Sequence, residues 1–305
     1  MTDGLKYWGA QLPDPNETVK LWPGAAPGEN RRELKFEVAE RSTSREFMDR
    51  AVTGISDPLF TVFRPKNPDG SAVLIFTGGN FVRVVVDKEG FESARRLNEA
   101  GVTAFVMRYR LPHEGWPLDA PLADAQRAMR LIRSRADTFN IDPARLGVMG
   151  FSAGGHVAAL LATRHAQTIY SPADDAAAAS ARPAFQALFY PVITMLPPDA
   201  FEGAAEAFLG KDAPEPLRAR YSCERNVDAQ TPPAFLATAL DDATIPPANT
   251  KRYYDALCAA GIPSELHLFE TGGHGFGIRL AQDAPVSIWP ELFLAWGRAR
   301  GIFRG

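Results

Sequence analysis

The stretch that most constrains what this chain can fold into runs from residue 146 to residue 161. Leu146-Gly147-Val148-Met149 is a short apolar run of strand character. Gly150-Phe151-Ser152-Ala153-Gly154 follows, and Val157-Ala158-Ala159-Leu160-Leu161 is helix-forming. A strand can enter a helix over so few residues only through a sharp turn. Glycines at 150 and 154 let the two elements approach where side chains would clash. The serine between them is forced into a strained backbone conformation. Its hydroxyl stands free at the strand tip, facing the positive end of a helix. G-x-S-x-G by itself is a weak signal, because glycine and serine are common in loops. Between a strand and a helix it reads as a nucleophile elbow.

The rest of the chain supports the same layering. Leu34–Val38, Leu59–Phe63 and Val73–Phe76 read as strands, the last a continuous apolar run suited to a strand covered on both faces. Helices and strands then alternate. Phe91–Ala100 is helical and stops at Gly101, and Val102–Val106 is a strand. Leu122, Ala125, Met129, Ile132 and Ala136 recur at steps of three and four, which gives one apolar helix face. Ala187–Tyr190, Ala234–Leu236 and Leu266–Phe269 are further strands. Tyr253, Leu257 and Ala260 mark one late helix, and Trp289, Leu292, Phe293 and Trp296 mark a closing one. This alternation predicts an α/β fold with right-handed crossovers and a mostly parallel central sheet flanked by helices, its site at the carboxyl ends of the strands. Residues 1–305 read as a single domain. Residues 1–33 form an arm over it with Trp22 as anchor. Pro197–Pro232, rich in proline and without a clear period, is expected as a small cap or lid. Ser171–Ala181, rich in alanine, is expected as a flexible surface loop.

Composition excludes several classes of function. With 33 basic and 36 acidic side chains the formal net charge is -3. Neither a nucleic-acid surface nor a polybasic membrane patch is indicated. No apolar run approaches a membrane span, and the polar, Pro/Gly-rich N-terminus has no secretory apolar core, so a cytoplasmic protein is expected unless a leader was removed. Cys223 and Cys258 are far apart and read as reduced. No histidine pair has zinc-ligand spacing, and neither nucleotide-binding glycine motif is present, so no metal and no cofactor are expected.

A serine hydroxyl is a poor nucleophile at neutral pH and needs a base that is itself oriented by an acid. Behind an elbow of this type the chain order is serine, acid, histidine. Of the five histidines, only His274 comes late, directly after the last strand, in Thr271-Gly272-Gly273-His274-Gly275-Phe276-Gly277. His113, His156, His165 and His267 read as structural. The acid should follow the preceding strand, where Asp241-Asp242 stands. Either can serve, and the spacing to Pro246 favours Asp242, leaving Asp241 as a solvated turn residue. An oxyanion hole completes the requirement. The amide of Ala153 is one expected donor, and Gly79 and Asn80 in Thr77-Gly78-Gly79-Asn80-Phe81 are the others.

These residues together resemble the acetyl-xylan-esterase-like bacterial α/β-hydrolases, relatives of the feruloyl-esterase-like BD-FAE group. Leu21–Gly28, Tyr109–Pro112, Ile141–His156, Tyr190–Ile193 and Gly272–Gly277 carry the resemblance, which covers nearly the whole chain. It implies an α/β-hydrolase fold, triad roles for Ser152, Asp242 and His274, and hydrolysis of short acyl esters, O-acetyl groups on carbohydrate foremost. The expected partner is therefore a small-molecule or oligosaccharide ester. An amidase or aryl-formamidase would use the same triad. A non-catalytic binding protein of this fold is the reading from another class, and the intact triad argues against it. The chain departs from the family at the oxyanion loop, where Pro-Gly-Gly-Gly-Tyr is usual. The Asn80 side chain can donate hydrogen bonds, so it is expected to enlarge the oxyanion hole or to contact substrate. Bulky Phe81 is expected at the substrate, where it would shorten the acyl pocket.

Overall fold

The structure, a computed structural model, describes residues 14–15, 17–30, 32–44, 46–281 and 283–304. The strands are β1 (Thr18–Lys20), β2 (Glu37–Glu40), β3 (Arg50–Thr53), β4 (Leu59–Phe63), β5 (Ala72–Phe76), β6 (Val84–Val85), β7 (Thr103–Arg108), β8 (Leu146–Phe151), β9 (Gln186–Phe189), β10 (Ala234–Ala239) and β11 (Ser264–Phe269). The helices are α1 (Glu92–Glu99), α2 (Ala120–Ser134), α3 (Ala136–Phe139), α4 (Ala153–Arg164), α5 (Glu202–Leu209), α6 (Glu215–Arg220), α7 (Ala248–Ala259) and α8 (Trp289–Ala299). The main sheet has the order β1-β4-β7-β5-β8-β9-β10-β11, and a smaller one is ordered β2-β3-β6. From β7 to β11 neighbouring strands run parallel, while β1, β4 and β7 pair antiparallel. This is an α/β-hydrolase fold.

Alternation along β5 shows how the sheet divides the core. Leu74 and Phe76 join one apolar cluster with α2 and α4. Val73 and Ile75 join the other with α1 and α8. All five residues of β5 are buried, so both faces are dry and the strand reads as continuous rather than alternating. The serine lies just past the end of β8, near the middle of the sheet, where the strand ends open toward solvent.

Several expectations need correction. The arm contributes a strand of its own: β1 pairs with β4, with Val19 opposite Phe60. Three residues are too few to show a period, and only the partner strand makes them β. The strand expected at Leu34–Val38 begins at Glu37 instead, because its bounds follow its pairing with β3. Trp22 is buried, and its indole N–H donates to Asp124 at 3.0 Å. Asp124 in turn forms a fully buried ion pair with Arg110, 2.8 Å apart. Residues 1–13 of the arm lie outside the described residues. The alanine-rich loop at 171–181 is anchored rather than loose. Asp174 accepts from Arg127 Nη1 at 2.6 Å, and Ala176 and Ala181 are buried.

Residues 197–232 fold into α5 and α6. Ala204, Ala205 and Phe208 form the buried face of α5, and Phe208 packs on Phe81 with ring centroids 4.8 Å apart. Asp199 fastens this segment to α7: its carbonyl accepts from Asn249 Nδ2 at 2.9 Å and its carboxylate from Arg252 Nε at 2.6 Å. Among the described residues no helix is long and apolar enough to cross a membrane.

Candidate active site

Ser152 is the turn between β8 and α4. Its φ is +52° with ψ -122°, a conformation that costs a non-glycine residue of order 1–3 kcal/mol and persists only where surroundings impose it. The surroundings here are backbone hydrogen bonds. Ser152 N–H donates to the Phe189 carbonyl at 3.1 Å, and its own carbonyl accepts from Val192 and Gly155, both at 3.0 Å. Glycine is required at 154 for lack of space: a Cβ there would lie 2.3 Å from the Phe76 carbonyl oxygen.

The structure brings Ser152, His274 and Asp242 together. Ser152 Oγ is 2.9 Å from His274 Nε2, and His274 Nδ1 is 2.8 Å from Asp242 Oδ2. The Asp242 side chain is fully buried, and its other oxygen accepts from the Thr244 and Ile245 amides at 2.8 and 2.9 Å. An ionised carboxylate can only accept, so Nδ1 carries the proton and Nε2 of the neutral ring is free to accept from the serine hydroxyl. This is the arrangement a serine needs to lose its proton as it attacks.

Asp241 is exposed as expected of a turn residue, yet it is bonded: its carboxylate accepts from the Gly273 amide at 2.7 Å and the Gly272 amide at 3.3 Å. The adjacent aspartates therefore divide two tasks, one holding the imidazole and the other the loop that carries it.

The Thr77–Phe81 loop, expected to supply oxyanion donors, lies against the serine. A Cβ on Gly78 would meet Ser152 Cβ at 2.8 Å and Glu89 Oε2 at 2.9 Å. Three consecutive residues then take positive φ, Gly79 at +134°, Asn80 at +56° and Phe81 at +57°. The Val82 and Arg83 amides close this turn onto the Gly79 carbonyl at 3.1 and 3.2 Å. Among the described residues the amides of Gly79, Asn80 and Ala153 have no acceptor, which leaves them free for one from outside. Asn80 is half-buried, and its side chain likewise has no partner among the described residues. Phe81 is fully buried, edge-on to His156 at 5.4 Å and against Phe208 of α5. It ties the loop to the helix above it and presents no surface to solvent.

The other histidines stay outside the Ser152–His274–Asp242 cluster. His156 is entirely buried, with Nε2 2.8 Å from the Tyr221 carbonyl, and burial pushes its pKa down to about 4. His267 pairs with Glu265 on edge strand β11. Two residues beside the site have no role assigned from the sequence. Glu89 accepts from the Gly78 amide at 2.6 Å, and Tyr190 lies edge-on to His274 with centroids 5.0 Å apart. Tyr190 stands in a block that carries the resemblance, but its pairing with Glu89 spans 101 residues of chain and no local pattern discloses it.

A parallel sheet with a strained serine at a central strand end, a histidine after the last strand and a buried acid between them defines an α/β-hydrolase. Residues 73–278 match the family model for the alpha/beta hydrolase fold, and the chain belongs to that family. Within it the chain is acetyl-xylan-esterase-like. It is 36% identical over 219 residues to an acetylxylan esterase of Xylanibacter ruminicola, covering 70% of this chain and 43% of that protein. It is 31% identical over 252 residues to the esterase LipI of Mycobacterium tuberculosis, covering 75% of this chain and 74% of that one. In structure it is similar to an acetyl ester-xyloside bifunctional hydrolase from Caldicellulosiruptor lactoaceticus. The TM-score is 0.76 at 31% identity, covering 97% of this chain and 100% of the other. The chain spans less than half the length of the acetylxylan esterase it matches.

Proposed function

We propose that this chain is a serine esterase that removes short acyl groups, O-acetyl foremost, from carbohydrate esters. The observation that carries the proposal is the unbroken relay from Ser152 Oγ through His274 to buried Asp242, at 2.9 and 2.8 Å. Ser152 Oγ attacks the ester carbonyl while His274 Nε2 takes its proton. Asp242 keeps the ring in the required tautomer and stabilises the imidazolium that forms. The free amides of Gly79, Asn80 and Ala153 bind the developing oxyanion. His274 then protonates the departing alcohol, leaving an acyl-serine, and water activated by the same imidazole releases the acid. The chemistry needs no cofactor. The relatives named for acetylxylan and acetyl ester-xyloside hydrolysis support a carbohydrate alcohol. The same relatives, named for acetyl esters, support a short acyl group.

The test is turnover by purified wild type and Ser152→Ala on p-nitrophenyl esters from acetyl to octanoyl, beside acetylated xylo-oligosaccharides and an acetanilide. The alanine variant should fold and lose nearly all activity. Wild type should prefer acetyl and propionyl esters and release acetate from the oligosaccharides. Activity above a few per cent in the variant overturns the nucleophile. Equal rates on octanoyl esters overturn the short-acyl preference, and faster anilide than ester cleavage overturns the esterase reading.

A further inference from the structure

Glu89 is a carboxylate for which the reaction as derived has no use. It sits in the wide turn at 87–91 that opens α1, almost wholly buried, and no cation pairs with it among the described residues. Burying an unpaired charge is costly, and such groups persist where hydrogen bonds hold them. Both oxygens of Glu89 are so held, by the two loops that flank the serine. Oε2 accepts from the Gly78 amide of the oxyanion loop at 2.6 Å, and Oε1 accepts from the Tyr190 hydroxyl at 3.1 Å. Tyr190 accepts in turn from the Gly277 amide, at 3.3 Å, in the loop that carries His274. Its ring lies edge-on to the His274 imidazole and to Phe276. Tyr190 itself has φ +37°, strain that surrounding contacts must impose. Burial and the Glu89 charge push its pKa well above that of an ordinary tyrosine, so the hydroxyl stays protonated and is the donor.

We propose that Glu89 is a positioning residue of the hydrolytic site. One carboxylate ties the oxyanion loop, through Gly78, and the histidine loop, through Tyr190 and Gly277, to a common point, and so sets the separation between the oxyanion donors and His274 Nε2. The inference rests on the Ser152–His274–Asp242 reading of the site. Its mechanical logic is that donors must lie 2.7–3.1 Å from the oxyanion while Nε2 stays within reach of Oγ, and a displacement of about 1 Å costs roughly a hundredfold in rate. No atom of Glu89 need touch substrate. Removing it should therefore lower kcat and leave KM nearly unchanged.

The experiment measures kcat and KM on p-nitrophenyl acetate for wild type, Glu89→Ala, Glu89→Gln, Tyr190→Phe and the Glu89→Gln/Tyr190→Phe double variant. Each is checked for a native circular dichroism spectrum, and Ser152 labelling by a fluorophosphonate is followed by mass spectrometry. Glutamine can still accept from Gly78 but leaves the Tyr190 hydroxyl proton without an acceptor, so it isolates the histidine arm. Phenylalanine removes the same arm from the other end. The expected losses in kcat are about a hundredfold for the alanine variant and about tenfold for each of the others, with KM within about twofold. The double variant should be no worse than Glu89→Gln, because both changes cut one connection. Additive losses in the double variant overturn the relay through Tyr190. Values of kcat within about twofold of wild type in the glutamine and phenylalanine variants, or a loss confined to KM, overturn the positioning role. If the alanine variant does not fold, the other two decide the matter. A wild type that is not labelled at Ser152 overturns the triad reading instead, and labelled wild type with unimpaired variants overturns only this inference.

Discussion

On the histidine side of Ser152 the fixing contacts are made by charged side chains. Asp242 holds the imidazole and two amides of its own turn, and Asp241 holds the amides of Gly272 and Gly273. On the side where we propose that the oxyanion binds, the groups offered are backbone amides, and their direction is set by three successive positive φ angles and a tight turn onto the Gly79 carbonyl. Proton transfer depends on the charge and tautomer of particular side chains. Oxyanion binding depends on where the chain points. The two halves should therefore fail differently under mutation. The first should be sensitive to isosteric changes that alter charge. The second should tolerate loss of its own loop side chains but not the gain of a Cβ where the backbone needs room.

The largest effect should separate the adjacent aspartates. Asp242→Asn keeps the shape but presents an amide that can hold the imidazole in the wrong tautomer, and kcat should fall by about four orders of magnitude. Asp241→Asn keeps an acceptor for the loop amides and should cost about tenfold or less. Steady-state kinetics of both variants on p-nitrophenyl acetate decide the matter. Reversed effects would move the triad acid to Asp241.

Next in size is the oxyanion turn. Gly79→Ala would place a Cβ 2.2 Å from the Arg83 carbonyl oxygen at a residue with φ +134°, so the turn must open and redirect its amides. We expect about a hundredfold loss in kcat, near the worth of one oxyanion donor. An alanine variant with wild-type kcat would break the contrast between the two halves.

How much of this the sequence discloses follows the same division. Ser152, His274 and Asp242 are legible because each sits in a local pattern whose backbone demands are specific: glycines around a sharp turn, a glycine loop after a strand, an aspartate at fixed spacing from Pro246. The α/β layering is legible because buried strands and amphipathic helices have distinct periods. What stays hidden is set by distant partners. β1 exists only through β4, and the alanine-rich loop is fixed by Arg127, 47 residues from Asp174. The helices within 197–232 are eight and six residues long, too short to show a period among prolines. Glu89 and Tyr190 meet across 101 residues. Phe81, expected at the substrate, is enclosed instead, because Phe208 arrives from a segment whose packing no local pattern announces.

Beneath both halves lies His156, which supports Phe81 from below and reports on the fold rather than on catalysis. Its folded pKa is about 4, against about 6.5 in an unfolded chain. The unfolded state therefore binds more protons between those values. The stabilising contribution is full above about pH 6.5 and is lost as pH falls through 6.5 toward 4, by about 3 kcal/mol in all. His156→Gln retains a donor for the Tyr221 carbonyl but cannot titrate. Urea unfolding at pH 7.5 and 4.5 should show a smaller acid-induced loss for the variant, by about that amount. Equal losses in the two proteins would mean that the histidine takes up its proton without unfolding.

The smallest effect should come from Asn80→Gly, and it tests the contrast most finely. As a bare sequence, asparagine where relatives carry glycine suggests a working side chain, because added bulk beside the reacting carbon needs a reason. The structure supplies another one. Residue 80 has φ +56°, in the left-handed region where asparagine is among the best tolerated of the non-glycine residues. Glycine occupies that region freely and keeps the same N–H, so a donor made of backbone survives the change. We expect kcat and KM within about threefold of wild type. Asn80→Ala should do worse than glycine, since its Cβ pays the left-handed penalty of about 1 kcal/mol that glycine escapes. A hundredfold fall in kcat alone for the glycine variant would place the side-chain amide on the oxyanion. A rise in KM alone would place it on the substrate. Either result would mean that the oxyanion half, too, works through a side chain of its own loop, and the division between the two halves would no longer hold.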